Sequence, residues 1–394
     1  MNAIAQDSPP LRLVFLSTSE GWGGLEMNLL RHARWMAGEG HIVRILCVAE
    51  SPLHRATIAH CDSEEGKKQA FDCRTIRRGT RYLAIATAIH RATRLVRYGA
   101  DWLWIRDPRD LDTSAWARHL LRLLGGKTKL VFHQGMQIPR TKKSPYHRLR
   151  FGAIDAWVTP LAWLKVQVCE NTPLGPDRVH VLPLGLDDKW FVPVPERTTE
   201  RRQARLALGL SQESFVVTLV GRIDRKKGQD VLVAALRHLP PDVHALIVGD
   251  PTLDTISDYF DEVRSFVRDN ELQWRVHFRP YDVFPRNAFL AADVVTVCST
   301  QESVGSVTLE AMASGCAIVG TDTGGTAELL DDGRGWTFAT GDPLALADAL
   351  LTLRNHPDAM PERIASGRSY IERHRRDVLV KHWTEVLRGS GSAG

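Results

Sequence analysis

The sequence predicts an α/β protein built from two doubly wound domains, and three observations carry that reading. Its apolar runs are short and continuous, as at residues 11–16, 42–48, 215–220 and 294–298, which suits strands covered on both faces. Segments with helical spacing stand between those runs, so strands and helices alternate. The alternation stops once, near residue 192, and restarts near residue 214. At 394 residues the chain is long enough for two or three cores.

The elements follow in order. Residues 11–16 form the first strand, and a glycine-rich turn, Gly21-Trp22-Gly23-Gly24, comes next. Leu25, Leu29, Leu30, Ala33, Met36 and Ala37 keep one helical face, and Gly38 and Gly40 stop that helix. Residues 42–48 are the next buried strand, which completes a βαβ unit. Further strands are expected at 101–105, 129–132, 156–159 and 179–182, with a helix at 82–98. Residues 192–213 carry prolines and charges but no apolar run, so they read as a linker. The second half gives strands at 215–220, 244–248, 276–278, 294–298 and 317–320. Its helices fall near 227–238, 257–269, 284–291 and 305–314, followed by a short element at 336–339. Helical pattern then fills 342–354 and 360–388. The expected division is a domain over 1–191, a linker over 192–213 and a second domain over 214–375. A helix within 376–394 is expected to cross back to the first domain. Ligands on such sheets bind beyond the carboxyl ends of the strands, so a cleft between two such domains is the expected site.

Composition excludes several classes. Hydrophobic content of 43% and charged content of 25% are those of an ordinary globular protein. No stretch approaches the roughly 18 apolar residues of a membrane span, and the polar start resembles no signal peptide. The six cysteines are scattered without a CxxC pair, Cys47 and Cys298 reading as core filler, so we expect a reduced, cytoplasmic protein. The net charge of +5 hides an asymmetry: residues 67–150 hold 20 Lys/Arg against 5 Asp/Glu. Such an excess attracts nucleic acid, an anionic membrane or an anionic substrate. Trp and Tyr are not interleaved with it as a stacking platform, which disfavours nucleic acid. No GxGxxG follows the first strand and no GxxxxGK[ST] occurs, which argues against redox dinucleotides and P-loop chemistry. Asp110-Leu111-Asp112 is a D-x-D and His54, His60, Cys61 and Asp62 lie close in sequence, but neither group has convincing metal-ligand spacing.

Two strings carry chemistry. Glu302-Ser303-Val304-Gly305-Ser306-Val307-Thr308-Leu309-Glu310 puts one carboxylate before a helix and a second inside it. The free N–H groups of that helix start face oxygen ligands. A sugar hydroxyl at Glu302 and a ribose diol at Glu310 would use both acids. Gly221-Arg222-Ile223-Asp224-Arg225-Lys226-Lys227-Gly228 follows the first strand of the second domain. Its glycine turn lets a phosphate approach the backbone, where Arg222 and Lys227 can neutralise a diphosphate leaving group.

The first string resembles the E-x7-E signature of retaining glycosyltransferases of the GT-B fold, family 4, and departs from it at Val304, where an aromatic residue is usual. The second resembles the same family's G-R-x4-K-G stretch, and Thr323-Gly324-Gly325-Thr326-Ala327-Glu328 resembles its G-G-x-x-E segment. The likeness runs over residues 11–385, is strong in 215–330 and is diffuse in 50–130, where acceptor sites diverge. It implies two Rossmann-like domains facing across a cleft, with acceptor bound by the first and nucleoside-diphosphate-sugar by the second. It implies catalytic roles for His133, Arg222, Lys227 and Glu302. Donor contacts are implied for Gly23, Gly24, Gly221, Arg222, Lys227, Glu302, Val304, Gly305, Ser306, Val307 and Glu310. His133 matches a histidine placed beside the reacting sugar, and Gly23-Gly24 match glycines whose backbone meets the donor phosphates. The reaction implied is transfer with retention of configuration, through an oxocarbenium-like transition state and same-face attack. The leaving phosphate takes the acceptor proton, and no metal or other cofactor is required. The expected acceptor is a glycan or glycolipid of cell-surface polysaccharide or lipopolysaccharide synthesis, met at the inner face of the plasma membrane or as a soluble anionic sugar. A GT-B-fold sugar-nucleotide epimerase and a donor-binding scaffold without activity are the alternatives. The sequence does not fix the oligomeric state.

Overall fold

The computed structural model describes residues 9–76, 84–191, 194–251, 258–282 and 285–389. The chain divides into two compact units, residues 1–183 with 376–394, and residues 184–375.

The first unit begins with β1 (Arg12–Ser17), α1 (Gly24–Gly38), β2 (Ile42–Val48), α2 (Pro52–Asp62) and β3 (Phe71–Ile76). It continues through α3 (Ala84–Tyr98), β4 (Trp102–Ile105), α4 (Pro108–Leu123), β5 (Lys129–His133), α5 (Pro145–Gly152), β6 (Ala156–Thr159), α6 (Ala162–Asn171) and β7 (Val179–Val181). Seven strands form one sheet in the order β3-β2-β1-β4-β5-β6-β7, every neighbour parallel. Alternate residues of β1 serve two cores. Leu13 and Phe15 pack with α1, while Val14 and Leu16 pack with α3 and α4. That two-sided burial is why the strands read as continuous apolar runs.

The second unit contains α7 (Val194–Ala207), β8 (Phe215–Val220), α8 (Gln229–Leu236), β9 (Val243–Val248), α9 (Asp258–Asp269), β10 (Val276–Arg279), α10 (Arg286–Ala291) and β11 (Val294–Val297). It ends with α11 (Ser306–Ala313), β12 (Ala317–Thr321), α12 (Gly324–Leu330), β13 (Trp336–Phe338), α13 (Pro343–Asn355) and α14 (Met360–Ile371). Its six strands run β10-β9-β8-β11-β12-β13, again all parallel.

Two segments differ from expectation. Residues 192–213, expected as a linker, hold the helix α7. Arg205 is buried there, donates to the carbonyls of Ala291 and Gln212, and pairs with Asp293 at 2.6 Å. A buried arginine held by ion pair and carbonyls stabilises that helix without an apolar stripe. The helix expected over 360–388 breaks after α14. Glu372–His374 form a 3₁₀ turn and Arg375 is extended. His374 is hydrogen-bonded to the Leu184 carbonyl at 2.7 Å, and its own carbonyl accepts from Leu186 N–H at 3.0 Å. The last helix, α15 (Arg376–Arg388), then belongs to the first unit. Its Leu379, Val380, Trp383 and Leu387 enter the core around Leu13, Phe15 and Trp104. Trp102 Nε1 donates to the Leu387 carbonyl at 3.0 Å.

Candidate active site

In the second unit the strand order reverses between β8 and β11, which is where a doubly wound sheet leaves a crevice at its carboxyl edge. The loop after β8 carries Gly221 to Gly228, and the loop after β11 carries Cys298 to Gly305. The two loops touch through their backbones: Thr300 N–H donates to the Lys226 carbonyl at 3.0 Å. Gly228 has φ +68°, and a Cβ there would lie 2.4 Å from the Cys298 carbonyl oxygen, so only glycine permits this approach.

This contact brings the two strings together. Lys227 Nζ lies 2.7 Å from Glu302 Oε2, and Gly305 N–H donates to Glu302 Oε1 at 3.2 Å. The Lys227 stem packs on Gly221, whose Cβ would sit 3.6 Å from Lys227 Cδ. Val220, Lys227, Thr296, Ser299, Glu302 and Val307 line a small pocket. Burial pushes the Glu302 carboxyl up, but Lys227, the Gly305 N–H and Ser299 outweigh it and hold it below 4.5. Glu302 is therefore an anion at neutral pH. Its carbonyl accepts from Gly325 N–H at 3.0 Å, which ties in the start of α12 and the glycine pair of the Thr323–Glu328 string.

The other residues expected on the donor side lie along the same two loops and on α11. Gly305 caps α11 with φ +72°, and Ser306 and Val307 form the helix's first turn, with Val304 just before it. Arg222 is exposed and makes no ion pair among the described residues; its carbonyl accepts from Gln229. Glu310 is half-buried on α11, and its charge, after burial, helps push the Tyr281 hydroxyl up. Tyr281, half exposed beyond β10, thus shares its surroundings with Glu310. Arg279 instead secures the fold by donating to the Leu208 carbonyl.

In the first unit the order reverses between β1 and β4. The loop after β1 leads to Gly23, the N-cap of α1, whose N–H donates to Glu26 Oε2 at 3.0 Å. Gly24 opens the helix, and a Cβ there would meet nothing within 4 Å. Packing alone does not require a glycine at that place.

His133 ends β5 and is 0% exposed. Its ring lies 4.8 Å from those of both His32 and Trp383 and 5.7 Å from that of Trp104. Arg106 Nη1 stands 2.6 Å from its Nδ1. Burial first, then the Arg106 charge and His32, hold the imidazole far below its ordinary range. The resemblance implied a histidine beside the reacting sugar; the structure gives a neutral, packed imidazole at the end of β5. Sequence reading missed its partner Arg106, also buried; burial first, then the Arg31 charge, lower it to about 9, so it remains a cation at neutral pH. The only local signal was an arginine ending an apolar strand, a pattern that says nothing of its contacts. The D-x-D acids serve the fold. Asp110 is buried, accepts from Thr18 N–H at 3.0 Å and pairs with Arg91 at 3.3 Å, while Asp112 accepts from Tyr146 Oη at 2.9 Å.

Two parallel, doubly wound units of this kind define the GT-B fold. A glycosyltransferase from Rickettsia africae shares it with a TM-score of 0.82 at 17% identity, covering 97% of this chain and 99% of that one. Alr3699/HepE of Anabaena, solved with UDP-glucose, gives a TM-score of 0.77 at 20% identity over 96% of this chain and 100% of that one. Residues 200–368 match the model of the glycosyl transferases group 1. Among curated relatives, the D-inositol 3-phosphate glycosyltransferase of Xylanimonas cellulosilytica is 37% identical over 195 residues, 48% of this chain and 46% of that protein. The alpha-maltose-1-phosphate synthase of Mycolicibacterium smegmatis is 34% identical over 229 residues, 55% of this chain and 58% of that protein. The chain thus spans about half the length of the curated relatives it matches.

Proposed function

We propose that this chain is a retaining glycosyltransferase that moves a sugar from a nucleoside-diphosphate-sugar to an acceptor hydroxyl. The observation that carries the reading is the Lys227–Glu302 pair at the reversal point of the second sheet, set between a glycine-permitted loop contact and the start of α11. An ammonium there can take the donor's diphosphate, and the carboxylate it releases can take a sugar hydroxyl. Arg222 is exposed at the same edge as a second cation for the leaving group. Glu310 and Tyr281 suit the ribose and base. The open Cβ position at Gly24 leaves room for an anionic group at the start of α1. These cations neutralise the leaving diphosphate without a divalent metal. The fold-sharing Anabaena protein was solved with UDP-glucose, which fits this donor class. Calorimetric titration tests the division of roles. Glu310→Gln should weaken both donor and free nucleoside diphosphate by about tenfold, the value of one hydrogen bond to a charged group. Glu302→Gln should weaken only the intact donor. Equal losses for both ligands in Glu302→Gln would sink the assignment.

A second reading concerns the acceptor's setting, and the structure changes its basis. Arg77, Arg78 and Arg81 lie outside the described residues. Arg91 is buried against Asp110, so it is not a surface charge. Arg97 stays exposed on α3, and a second basic face is that of α4 and α5, where Trp116, Tyr146 and Leu149 are exposed beside Arg148, with Arg140 and Lys143 before it. Tyr and Trp beside exposed cations suit the headgroup region of an anionic leaflet. We propose that this face docks there, where a lipid-linked glycan is the acceptor. Among the described residues no helix is long and apolar enough to cross a membrane. Vesicle co-sedimentation should show binding to anionic vesicles that 0.1 M salt weakens, given a Debye length of about 10 Å there. Absence of binding at low salt would leave a soluble anionic acceptor as the partner.

A further inference from the structure

The sheet of the first unit holds a thiol pair that the transfer reaction does not use. In the β2–β3 register Ile45 faces Cys73 and Cys47 faces Thr75, so the two cysteines are diagonal neighbours on one face of the sheet. Their Sγ atoms are 3.7 Å apart, within a thiol–thiol hydrogen bond. A disulfide needs about 2.05 Å, so the sulfurs must close by about 1.7 Å; diagonal neighbours stand about 7–8 Å apart, so the edge strand β3 must also shift toward β2 as the bond forms. The two thiols are unequal. Cys47 is fully buried, whereas Cys73 lies half-buried on β3, the edge strand of the sheet. The Cys47 hydrogen bond pulls the Cys73 thiol down against its burial, while the same bond and burial push Cys47 up. A partly accessible thiol backed by a buried one is the arrangement of an attacking and a resolving cysteine.

We propose that Cys47 and Cys73 are an oxidation site, converted by a two-electron oxidant such as hydrogen peroxide into an intramolecular disulfide. The Cys73 thiolate attacks one peroxide oxygen, the O–O bond breaks, and a sulfenic acid forms as water leaves. The Cys47 sulfur then attacks the Cys73 sulfur, the S–O bond breaks, and a second water carries off the Cys47 proton. Two thiols are oxidised and one peroxide is reduced to two waters. The product staples β3 to β2 and closes the segment between them into a loop. The site stands independently of the glycosyltransferase reading.

Cys61, near the end of α2, is the competitor, since its thiol feels the charge of Cys73. Trypsin separates the three cysteines, because Arg44, Arg55, Lys67, Lys68 and Arg74 flank them. The full chain, reduced, freed of reductant and treated with hydrogen peroxide, should yield the Cys47 peptide joined to the Cys73 peptide. That product should lack two hydrogens relative to the free peptides and revert with dithiothreitol. Cys61→Ser should behave as the wild type. Cys47→Ser should instead leave a sulfenic acid on Cys73 that dimedone traps. A Cys61–Cys73 link in the wild type, links only between molecules, or both thiols surviving while a free cysteine in the same tube is oxidised would each overturn the proposal.

Discussion

Lys227 and Glu302 show how much one pair of residues decides. Their side chains are 25% and 14% exposed, so neither charge is fully hydrated, and each offsets the other's loss of water. If the donor binds as proposed, its diphosphate displaces this contact to reach the ammonium, and the pair is an internal placeholder for it. The pairing also predicts a pH dependence. Glu302 is held below its ordinary 4.5 in the folded chain, so the pair's stabilisation is present above that value and fades as pH falls through the folded pKa. Glu302→Gln should therefore lower stability by about 1–2 kcal/mol at pH 7, the range of a charge-assisted hydrogen bond. Against the wild type that difference should shrink in acid below the folded pKa. Denaturant unfolding at stepped pH measures it, and a difference that persists unchanged at pH 3 would refute the pairing's role. The acids and cations of this site were legible because their strings are local. The pairing was not, since it depends on a contact between two loops 75 residues apart in sequence.

At the scale of elements, glycines separate what the fold needs from what a ligand needs. Gly228 sits at φ +68° with a carbonyl 2.4 Å from any Cβ, whereas Gly24 faces open space. Gly228→Ala should distort the contact between the loops after β8 and β11 and destabilise the second unit by about 1–3 kcal/mol, from backbone strain. Gly24→Ala should leave thermal stability within about 0.5 kcal/mol. It should nonetheless weaken nucleotide-sugar binding, if the α1 N-terminus meets an anionic group. A melting curve for each variant with a donor titration reads both effects, and normal donor binding by Gly24→Ala would remove α1 from the site. The sequence reveals the strands whose burial is two-sided, because they are continuous apolar runs. It conceals β3, an edge strand whose Phe71, Asp72, Cys73, Arg74 and Thr75 are all partly exposed or exposed. It conceals α7 as well, whose packing uses Arg205 and Asp293 rather than an apolar stripe.

For the whole molecule, the last helix matters as much as either sheet. Trp383 packs on Trp104 with ring centroids 4.0 Å apart and planes tilted by 35°, and lies beside His133, although 279 and 250 residues of chain separate it from them. That remote origin explains why the burial of His133 could not be read locally, while its place at the end of a strand could. The strings were legible as belonging to the second half, and the structure brings Lys227 and Glu302 together there. The acceptor half carries few comparable strings, and the resemblance there is correspondingly diffuse. The account stands on the claim that the second unit presents Arg222, Lys227 and Glu302 to a nucleoside-diphosphate-sugar. The most direct measurement is release of nucleoside diphosphate from a panel of sugar nucleotides by the full chain, with chelator present, beside Arg222→Ala. The account predicts release from at least one donor despite the chelator. It also predicts a fall of about two to three decades in turnover for a well-folded Arg222→Ala, from about 3–4 kcal/mol of lost leaving-group stabilisation. Release that requires added magnesium or manganese, or near-normal turnover in Arg222→Ala, would contradict it.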